Sequence, residues 1–400
     1  MGRRRSLVVD RIMTDPNNRG RLFRRCYGTG LAIGLGVVFA LVRWSPESDS
    51  VERRVAPAQV RISQAEFGDI IDRLSEPEGY FDTDNFITNE TSYQHVIGKL
   101  TRDVDRGGVY FGVGPDQNFT YIAHQQPTLA IITDIRRQNM LLHLLFKVLM
   151  EESVDRYSFL SLLFSRRRQV SWESDQTLRS TLELVRSIPP DEALLQTNIA
   201  MVEETLLEEY ELNLTDEDLE QIRYVYRTFF DESLSLTFST LGRPSSRYPT
   251  LEQLILETDL DGERQSYLSS EELFSRVKRF QEENRLIPIV GDFAGPVALR
   301  AAAGFLKERG LSVSVFYASN VEFYLFNRPG WQDYVDNVRS FPVRDDAVFI
   351  RSYFPTFGRP HPLNVRGHRS TSLIQPIRGF FDDADAGRHI SYWDVVGRNN

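Results

Sequence analysis

The stretch that decides the fold is residues 107–118, which read GGVYFGVGPDQN. Within it, residues 109–111 combine β-branched and aromatic side chains and predict a short buried strand. Gly112 and Gly114 allow the backbone to turn tightly and to approach a ligand, because no Cβ stands in the way. Pro115 suits the first position of a helix, where its missing N–H costs nothing. The stretch therefore predicts a strand, a glycine turn and the start of a helix.

A second apolar run, residues 129–133, ends on Asp134, 20 residues after Gly114. Strand, glycine turn, helix, strand and acid form the arrangement that holds a nucleoside at the carboxyl ends of parallel strands, where the acid accepts hydrogen bonds from the ribose hydroxyls. We therefore expect Gly112, Gly114, Asp134 and the adjacent Ile135 to contact a nucleoside cofactor. A βαβ unit with an empty site is the alternative.

The residues after the glycine turn discriminate between nucleoside ligands. The dinucleotide fingerprint has a third glycine where this chain has Gln117, and Asp116 would present a like charge to a pyrophosphate. A carboxylate suits a cationic ligand instead. S-adenosylmethionine has a ribose, an ammonium and a sulfonium group but no phosphate. We favour it over NAD, with Asp116 and Asn118 among its contacts.

Two later strands are also predicted to end on polar residues. The third strand runs into Gly291 and Asp292, and the fourth runs into Ser319 and Asn320. The carboxyl ends of parallel strands share one edge of a sheet, so these residues are expected near Asp134.

Two groups near the glycine turn are open to more than one interpretation. Asn89, Glu90 and Tyr93 precede the turn, either as site residues or as a helix cap and a solvated loop. Arg136 and Arg137 open the next predicted helix against its dipole. We expect an acidic neighbour such as Asp116, or a substrate carboxylate, beside these two arginines.

The formal net charge of the 400-residue chain is −9, and it is unevenly distributed. Residues 1–25 hold eight arginines and two aspartates, which gives +6 and leaves −15 for the remainder. An acidic body argues against nucleic acid as a partner. The only cysteine is Cys26, so no disulfide can form within the chain. The six histidines lack metal-site spacing, except weakly at His361 and His368, so we expect no metal.

Residues 26–42 form an uncharged run of about 17 residues, which is at the short end of what spans a bilayer. The basic tail, residues 1–25, would stay in the cytoplasm by the positive-inside rule. We favour an uncleaved single-pass membrane anchor followed by a linker over residues 43–60. A cleaved signal peptide, which would leave a secreted chain, and a buried glycine-rich helix are the alternatives.

Beyond the linker the pattern predicts an α/β domain interrupted by helices. Residues 61–165 form its first half, and residues 166–285 predict an acidic helical insertion. Residues 286–400 return to strands alternating with helices and end in a C-terminal extension. We expect a Rossmann-like parallel sheet flanked by helices, with the insertion covering the carboxyl edge where ligands bind.

The strand-end residues resemble those of a class I S-adenosylmethionine-dependent methyltransferase. The resemblance covers roughly residues 60–355, and it implies that Asp134 binds the ribose, that Asp292 lies near adenine and that Asn320 faces the methyl group. The sequence departs from that pattern at Pro115 and Asp116, where methyltransferases more often have small residues. Four segments are similar to an uncharacterised bacterial family with this fold: residues 109–123, 134–139, 290–295 and 316–322.

We therefore expect a membrane-tethered methyltransferase. Methyl transfer needs alignment more than acid–base groups, so the lack of a catalytic triad does not count against it. The alternative is a membrane-anchored binding or scaffold protein that keeps the fold without chemistry. These predictions conflict at one point, because an anchor oriented by its arginines puts the domain outside the cytoplasm, where S-adenosylmethionine is not expected. Either the orientation, the membrane span or the methyltransferase activity must then be given up.

Overall fold

The computed structural model describes residues 60–83, 85–169, 172–239, 248–326, 329–355 and 359–397. The predicted basic tail and hydrophobic segment, and all but the last residue of the linker, lie outside these ranges. Within these ranges no helix is both long enough and apolar enough to cross a membrane.

The core of the described chain is a six-stranded sheet in the order β3-β2-β1-β4-β5-β6. Every neighbouring pair is parallel except β5 and β6, which are antiparallel. The predicted α/β class with a mostly parallel sheet is confirmed, and the strand order is compatible with a Rossmann-like fold. The strands are β1 Val109–Val113, β2 Leu129–Asp134, β3 Leu286–Val290, β4 Val313–Ser319, β5 Val343–Tyr353 and β6 Thr371–Pro376.

Helices flank this sheet. Three shorter helical turns, Tyr93–Val96, Thr205–Glu209 and Ser233–Ser235, accompany them. The α-helices are α1 Gln64–Leu74, α2 Ile97–Asp103, α3 Gln117–Gln125, α4 Arg137–Glu151, α5 Arg156–Leu163, α6 Leu178–Ser187, α7 Glu192–Glu204, α8 Asp216–Glu232, α9 Leu251–Ile255, α10 Glu271–Glu282, α11 Ala298–Glu308, α12 Val321–Phe326, α13 Trp331–Arg339, α14 Ile377–Asp385 and α15 Tyr392–Val396.

The helices between β2 and β3 are attached to the sheet through α4. Helix α4 packs against β2 and β3, and both α8 and α10 pack against α4. The stretch predicted as a helical insertion, residues 166–285, contains α6 to α10 in its described part. It is joined to the sheet through its contacts with α4 and α3.

The central strands are buried on both faces, as expected for a parallel sheet covered by helices. Phe111 of β1 stacks on Phe316 of β4 with ring centroids 4.9 Å apart, and Phe341 meets it edge-on at the same distance. This aromatic packing holds β1 and β4 together. The chain leaves β1 for β2 on one side and returns to β4 on the other, so the topological switch point lies between β1 and β4.

Candidate functional site

A cavity of about 180 Å³ lies at the carboxyl ends of the central strands. Ligands of open α/β sheets bind at this edge, beside the switch point. Five of the eight residues predicted to contact a cofactor or substrate line it. They are Gly114, Asp134, Ile135, Asp292 and Asn320.

Asn118 is absent from that lining, and its contacts explain why. Its side chain is fully buried, and Nδ2 donates to the carbonyl oxygens of Val113, Gly114 and Pro115 at 2.9, 3.1 and 2.7 Å. Its Oδ1 accepts a hydrogen bond from the Tyr110 hydroxyl at 2.7 Å. Asn118 therefore clamps residues 113–115, and both polar atoms of its side chain already have partners within the protein.

The two glycines predicted to form the turn have different roles. Gly112 lies within β1 and not in the turn, so that expectation was wrong; it is also outside the cavity lining, and a Cβ there would overlap the side chains of Asn118 and Tyr110. Gly114 lines the cavity and has φ +82°, a left-handed conformation that favours glycine. Its carbonyl also accepts a hydrogen bond from Nε2 of His143, at 2.9 Å. Burial lowers the pKa of His143 to about 4, so the ring is a neutral support for the turn.

Asp116 faces away from the main cavity. It lines a second, water-sized cavity of about 10 Å³ together with Tyr267, whose hydroxyl donates to Asp116 Oδ2 at 3.3 Å. Burial raises the pKa of Asp116 to about 6. Gln117 and Thr88 line both cavities and so separate this carboxyl group from the main one.

The arginines that open α4 have acidic neighbours, as expected, but these are Asp134 and Asp218 and not Asp116. The backbone N–H and Nε of Arg136 both donate to Oδ1 of Asp134, at 3.0 and 3.2 Å. Arg137 forms a bidentate pair with Asp218 of α8, at 2.5 and 2.9 Å. Helix α8 supplies the acid that balances the second arginine, and no sequence spacing could have indicated this partner.

Asp292 lies just after β3, where the side chain of Glu76 accepts hydrogen bonds from three backbone N–H groups. Glu76 Oε1 accepts the Asp292 N–H at 2.7 Å, and Oε2 accepts the N–H groups of Val297 and Ala298 at 2.9 and 3.1 Å. These last two N–H groups lie at the start of α11, where an anion would otherwise bind. A protein carboxylate therefore already occupies this helix end.

Glu90 is the site residue to which the sequence assigned no single role. Its side chain is 1% exposed and lines the cavity. Oε1 accepts hydrogen bonds from the hydroxyls of Tyr317, at 2.8 Å, and Ser319, and Oε2 accepts one from Ser352. The pKa of Glu90 is raised, because the effect of burial is larger than the opposing effect of these three hydroxyls. No ion pair reaches Glu90 from anywhere in the described ranges.

The described lining of the cavity is acidic and aromatic. It includes the carboxylates of Glu90, Asp134 and Asp292 but no lysine, arginine or histidine, and Arg136 pairs with Asp134 from outside the lining. Aromatic rings form much of the remaining wall, including Phe238, the one described contribution from residues 166–285. The five aromatic residues are Tyr80, Phe81, Phe238, Phe293 and Tyr324.

The structure also places the two histidines singled out in the sequence. His361 is buried, with Nε2 3.2 Å from the carbonyl oxygen of Val396. His368 packs its ring edge-on against His95, with centroids 4.4 Å apart. In the part of the chain that the structure describes, no cluster of three or more His, Cys, Asp or Glu side chains is arranged to hold a metal ion.

The fold and the site define an α/β protein with a cavity at the carboxyl edge of a mostly parallel sheet. The family model described as "Domain of unknown function (DUF7790)" matches residues 85–383, about three quarters of the chain and all six strands of the sheet. The chain belongs to this family. A comparison with curated proteins finds no match.

Proposed function

We propose that the protein binds S-adenosylmethionine in this cavity and acts as a class I methyltransferase. The observation that carries the proposal is the charge of the cavity. Its described lining holds the carboxylates of Glu90, Asp134 and Asp292 and no basic side chain, and of the three only Asp134 is ion-paired within the described chain, with Arg136 from outside the lining. Opposite charges attract strongly in a site partly shielded from water. A ligand with a sulfonium and an ammonium group and no phosphate matches this field, whereas a dinucleotide does not.

The ribose end of the ligand would lie at β2. Oδ1 of Asp134 accepts two hydrogen bonds from Arg136, but Oδ2 has only one long contact with Arg136, at 3.4 Å. A carboxylate offers about four acceptor positions, so Oδ2 has capacity left for ribose hydroxyls. Asp292 and Phe293, after the neighbouring strand, offer a carboxylate and a ring beside this position, where adenine would lie.

An unpaired acceptor in the cavity wall supports a ligand with N–H groups. Gln117 is buried, and its Nε2 donates to the Tyr317 hydroxyl at 3.0 Å, but its Oε1 has no partner. Leaving a buried acceptor without a partner costs roughly 1–3 kcal/mol. The ammonium group of S-adenosylmethionine is a donor that would satisfy Oε1.

S-adenosylmethionine supplies, when bound, a methyl group on a positively charged sulfur. The residues of the chain would hold this donor in line with the acceptor and keep water away, which is the main requirement of a displacement reaction. Asn320, at the end of β4, is the candidate to face the methyl group. The aromatic wall formed by Phe81 and Tyr324, whose rings meet edge-on at 5.1 Å, would shield the reacting atoms.

Photochemical labelling tests both the binding and its location. The full-length protein would be irradiated with tritiated S-adenosylmethionine and digested, and the labelled peptides would be sequenced. We expect label on the peptides that contain Phe81 or Tyr324, and we expect excess unlabelled S-adenosylhomocysteine to remove it. Label on neither peptide, or no specific label, would argue against the proposal and favour a non-catalytic scaffold.

A further inference from the structure

Glu90 lies at the end of the cavity opposite Asp134. Its three hydroxyl partners come from the last residues of β4 and from β5, whereas Asp134 ends β2. Strands β1 and β4 separate β2 from β5, and neighbouring strands are about 4.8 Å apart. The two carboxylates are therefore separated by roughly 10–14 Å, or two to three strand spacings. A ligand whose ribose contacts Asp134 would direct its sulfonium end towards Glu90.

The hydrogen bonds of Glu90 favour its ionised form, which is the form that accepts a proton, and so oppose the effect of burial. The hydroxyls of Tyr317, Ser319 and Ser352 all lie within hydrogen-bond distance of its carboxylate, and three such donors stabilise the ionised form. No lysine, arginine or histidine of the described chain forms an ion pair with it. An acid buried this deeply without a counter-charge is costly for stability, and perturbed acids of this kind concentrate at functional sites.

We infer that Glu90 accepts the proton of the methyl-accepting nucleophile, and that the acceptor substrate is consequently a compound with an N–H or O–H nucleophile and no carboxylate beside it. This inference rests on the proposed function. It extends that function by naming the substrate class and a catalytic residue. A carboxylate acceptor has no proton to transfer to Glu90, and its negative charge would be repelled by that of Glu90. We therefore expect no methylation of carboxylates.

The step balances without a further reactant. The nucleophile's lone pair forms a bond to the methyl carbon while the carbon–sulfur bond breaks, and the electron pair of that bond stays on sulfur. The sulfonium becomes a neutral thioether, and the nucleophile's proton passes to the carboxylate of Glu90. Proton acceptance at a positioned carboxylate contributes about 10²- to 10⁴-fold to such a rate.

A pair of ligands tests the position of Glu90 without knowledge of the substrate. In sinefungin a carbon that bears a protonated amine replaces the methylated sulfur of S-adenosylmethionine, whereas S-adenosylhomocysteine has a neutral sulfur there. If Glu90 faces that group, the full-length protein should bind sinefungin about tenfold more tightly than S-adenosylhomocysteine, which corresponds to one favourable charge contact. Both dissociation constants would be measured by isothermal titration.

Variants assign this preference to one residue. Glu90→Gln should bind the two ligands equally, to within about threefold, while S-adenosylhomocysteine binding stays close to that of the wild type. Asp116→Asn is the matched control, because it also replaces a carboxyl group but in the neighbouring small cavity, and it should keep the tenfold preference. Glu90→Asp, which retains the charge, should keep part of the preference for sinefungin.

Two results would overturn the inference. One is a wild-type protein that binds both ligands equally, which requires no variant to fold. The other is a Glu90→Gln protein that keeps the tenfold preference. In both cases S-adenosylhomocysteine still binds, so the proposed function survives. Failure of the wild type to bind S-adenosylhomocysteine at all would instead overturn the proposed function and this inference with it.

Discussion

Arg136 holds the carboxylate of Asp134 from two residues further along the chain, with its backbone N–H and its Nε both on Oδ1, at 3.0 and 3.2 Å. Both side chains are buried, and Nη1 of Arg136 continues to the carbonyl oxygen of Thr83 at 2.6 Å. The acid predicted to bind a ribose is therefore also half of a buried ion pair. Its orientation in the cavity depends on Arg136.

Replacing Asp134 should affect binding and stability together. We expect Asp134→Asn to weaken S-adenosylhomocysteine binding roughly 10- to 150-fold, because a hydrogen bond to a charged group is worth about 1.5–3 kcal/mol. The same change leaves Arg136 buried without its counter-charge, which should lower the free energy of unfolding by about 3 kcal/mol. Titration calorimetry and urea denaturation would measure the two effects.

A double variant separates the two effects of Asp134. In Asp134→Asn with Arg136→Met no unpaired charge remains, so stability should largely return while binding stays weak. Restored binding in the double variant would contradict a ribose contact at Asp134.

The clamp at Asn118 should be among the most sensitive positions of the fold. In Asn118→Asp a carboxylate oxygen replaces the amide that donates to three carbonyl oxygens. We expect a loss of about 3 kcal/mol or more in urea denaturation, because three buried acceptors lose their donor. Tyr110→Phe removes only the hydrogen bond to Oδ1 and should cost about 1 kcal/mol. Equal effects of the two substitutions would contradict the clamp.

The sequence was sufficient to predict the strands and turn that build this edge. The strand that begins at Val109, the glycine turn at Gly114 and the acid that ends β2 all depend on local patterns, although β1 continues to Val113, two residues beyond its predicted end. The directions of the Asp116 and Asn118 side chains were not predictable, because they depend on how the start of α3 packs against β1 and against residues 166–285. Their spacing from the glycines is compatible with either orientation.

Long-range contacts account for the rest of what sequence reasoning missed. Glu90 meets Tyr317, Ser319 and Ser352, which lie 227 to 262 residues further along the chain. Periodicity and turn signals report only on neighbours within about one element, so they cannot bring these groups together. The edge strand β6 was missed for a related reason, since its pairing with β5 is antiparallel and follows a loop rich in Pro and Gly.

Asp116 should make stability depend on pH. Its pKa is raised from 3.8 to about 6, so the native state binds a proton more tightly than the unfolded state. The free energy of unfolding should then fall as the pH rises from about 4 to 6 and stay low above that range. Asp116→Asn should remove this fall and be more stable than the wild type at pH 7, by about 3 kcal/mol.

Denaturation curves at pH 4 and pH 7 would check the sign of this difference in the free energy of unfolding. The difference between variant and wild type should be near zero at the lower pH and positive at the higher one. Asp261→Asn, at an exposed turn residue, should show no such change between the two values. A variant less stable than the wild type at pH 7 would contradict a raised pKa at Asp116.

Membrane attachment through residues 26–42 stays a prediction, because these residues lie outside the described ranges. We expect the full-length protein to remain with membranes after a carbonate wash. Leu35→Arg puts a charge near the centre of the segment at a cost of about 2.5–3.5 kcal/mol and should release a large fraction, whereas Leu35→Ala should not. Soluble full-length wild type would contradict the anchor, and loss of the first 40 residues would favour the signal peptide.

The central claim is that the cavity at the carboxyl edge selects a cationic nucleoside. The most direct measurement is calorimetric titration of the full-length wild-type protein with S-adenosylmethionine and, separately, with NAD. We expect one site for S-adenosylmethionine and affinity for NAD at least 100-fold weaker, because the carboxylates of Glu90 and Asp292, which have no ion-pair partner in the described ranges, repel its pyrophosphate. Tighter binding of NAD, or no binding of S-adenosylmethionine at millimolar concentration, would contradict the claim.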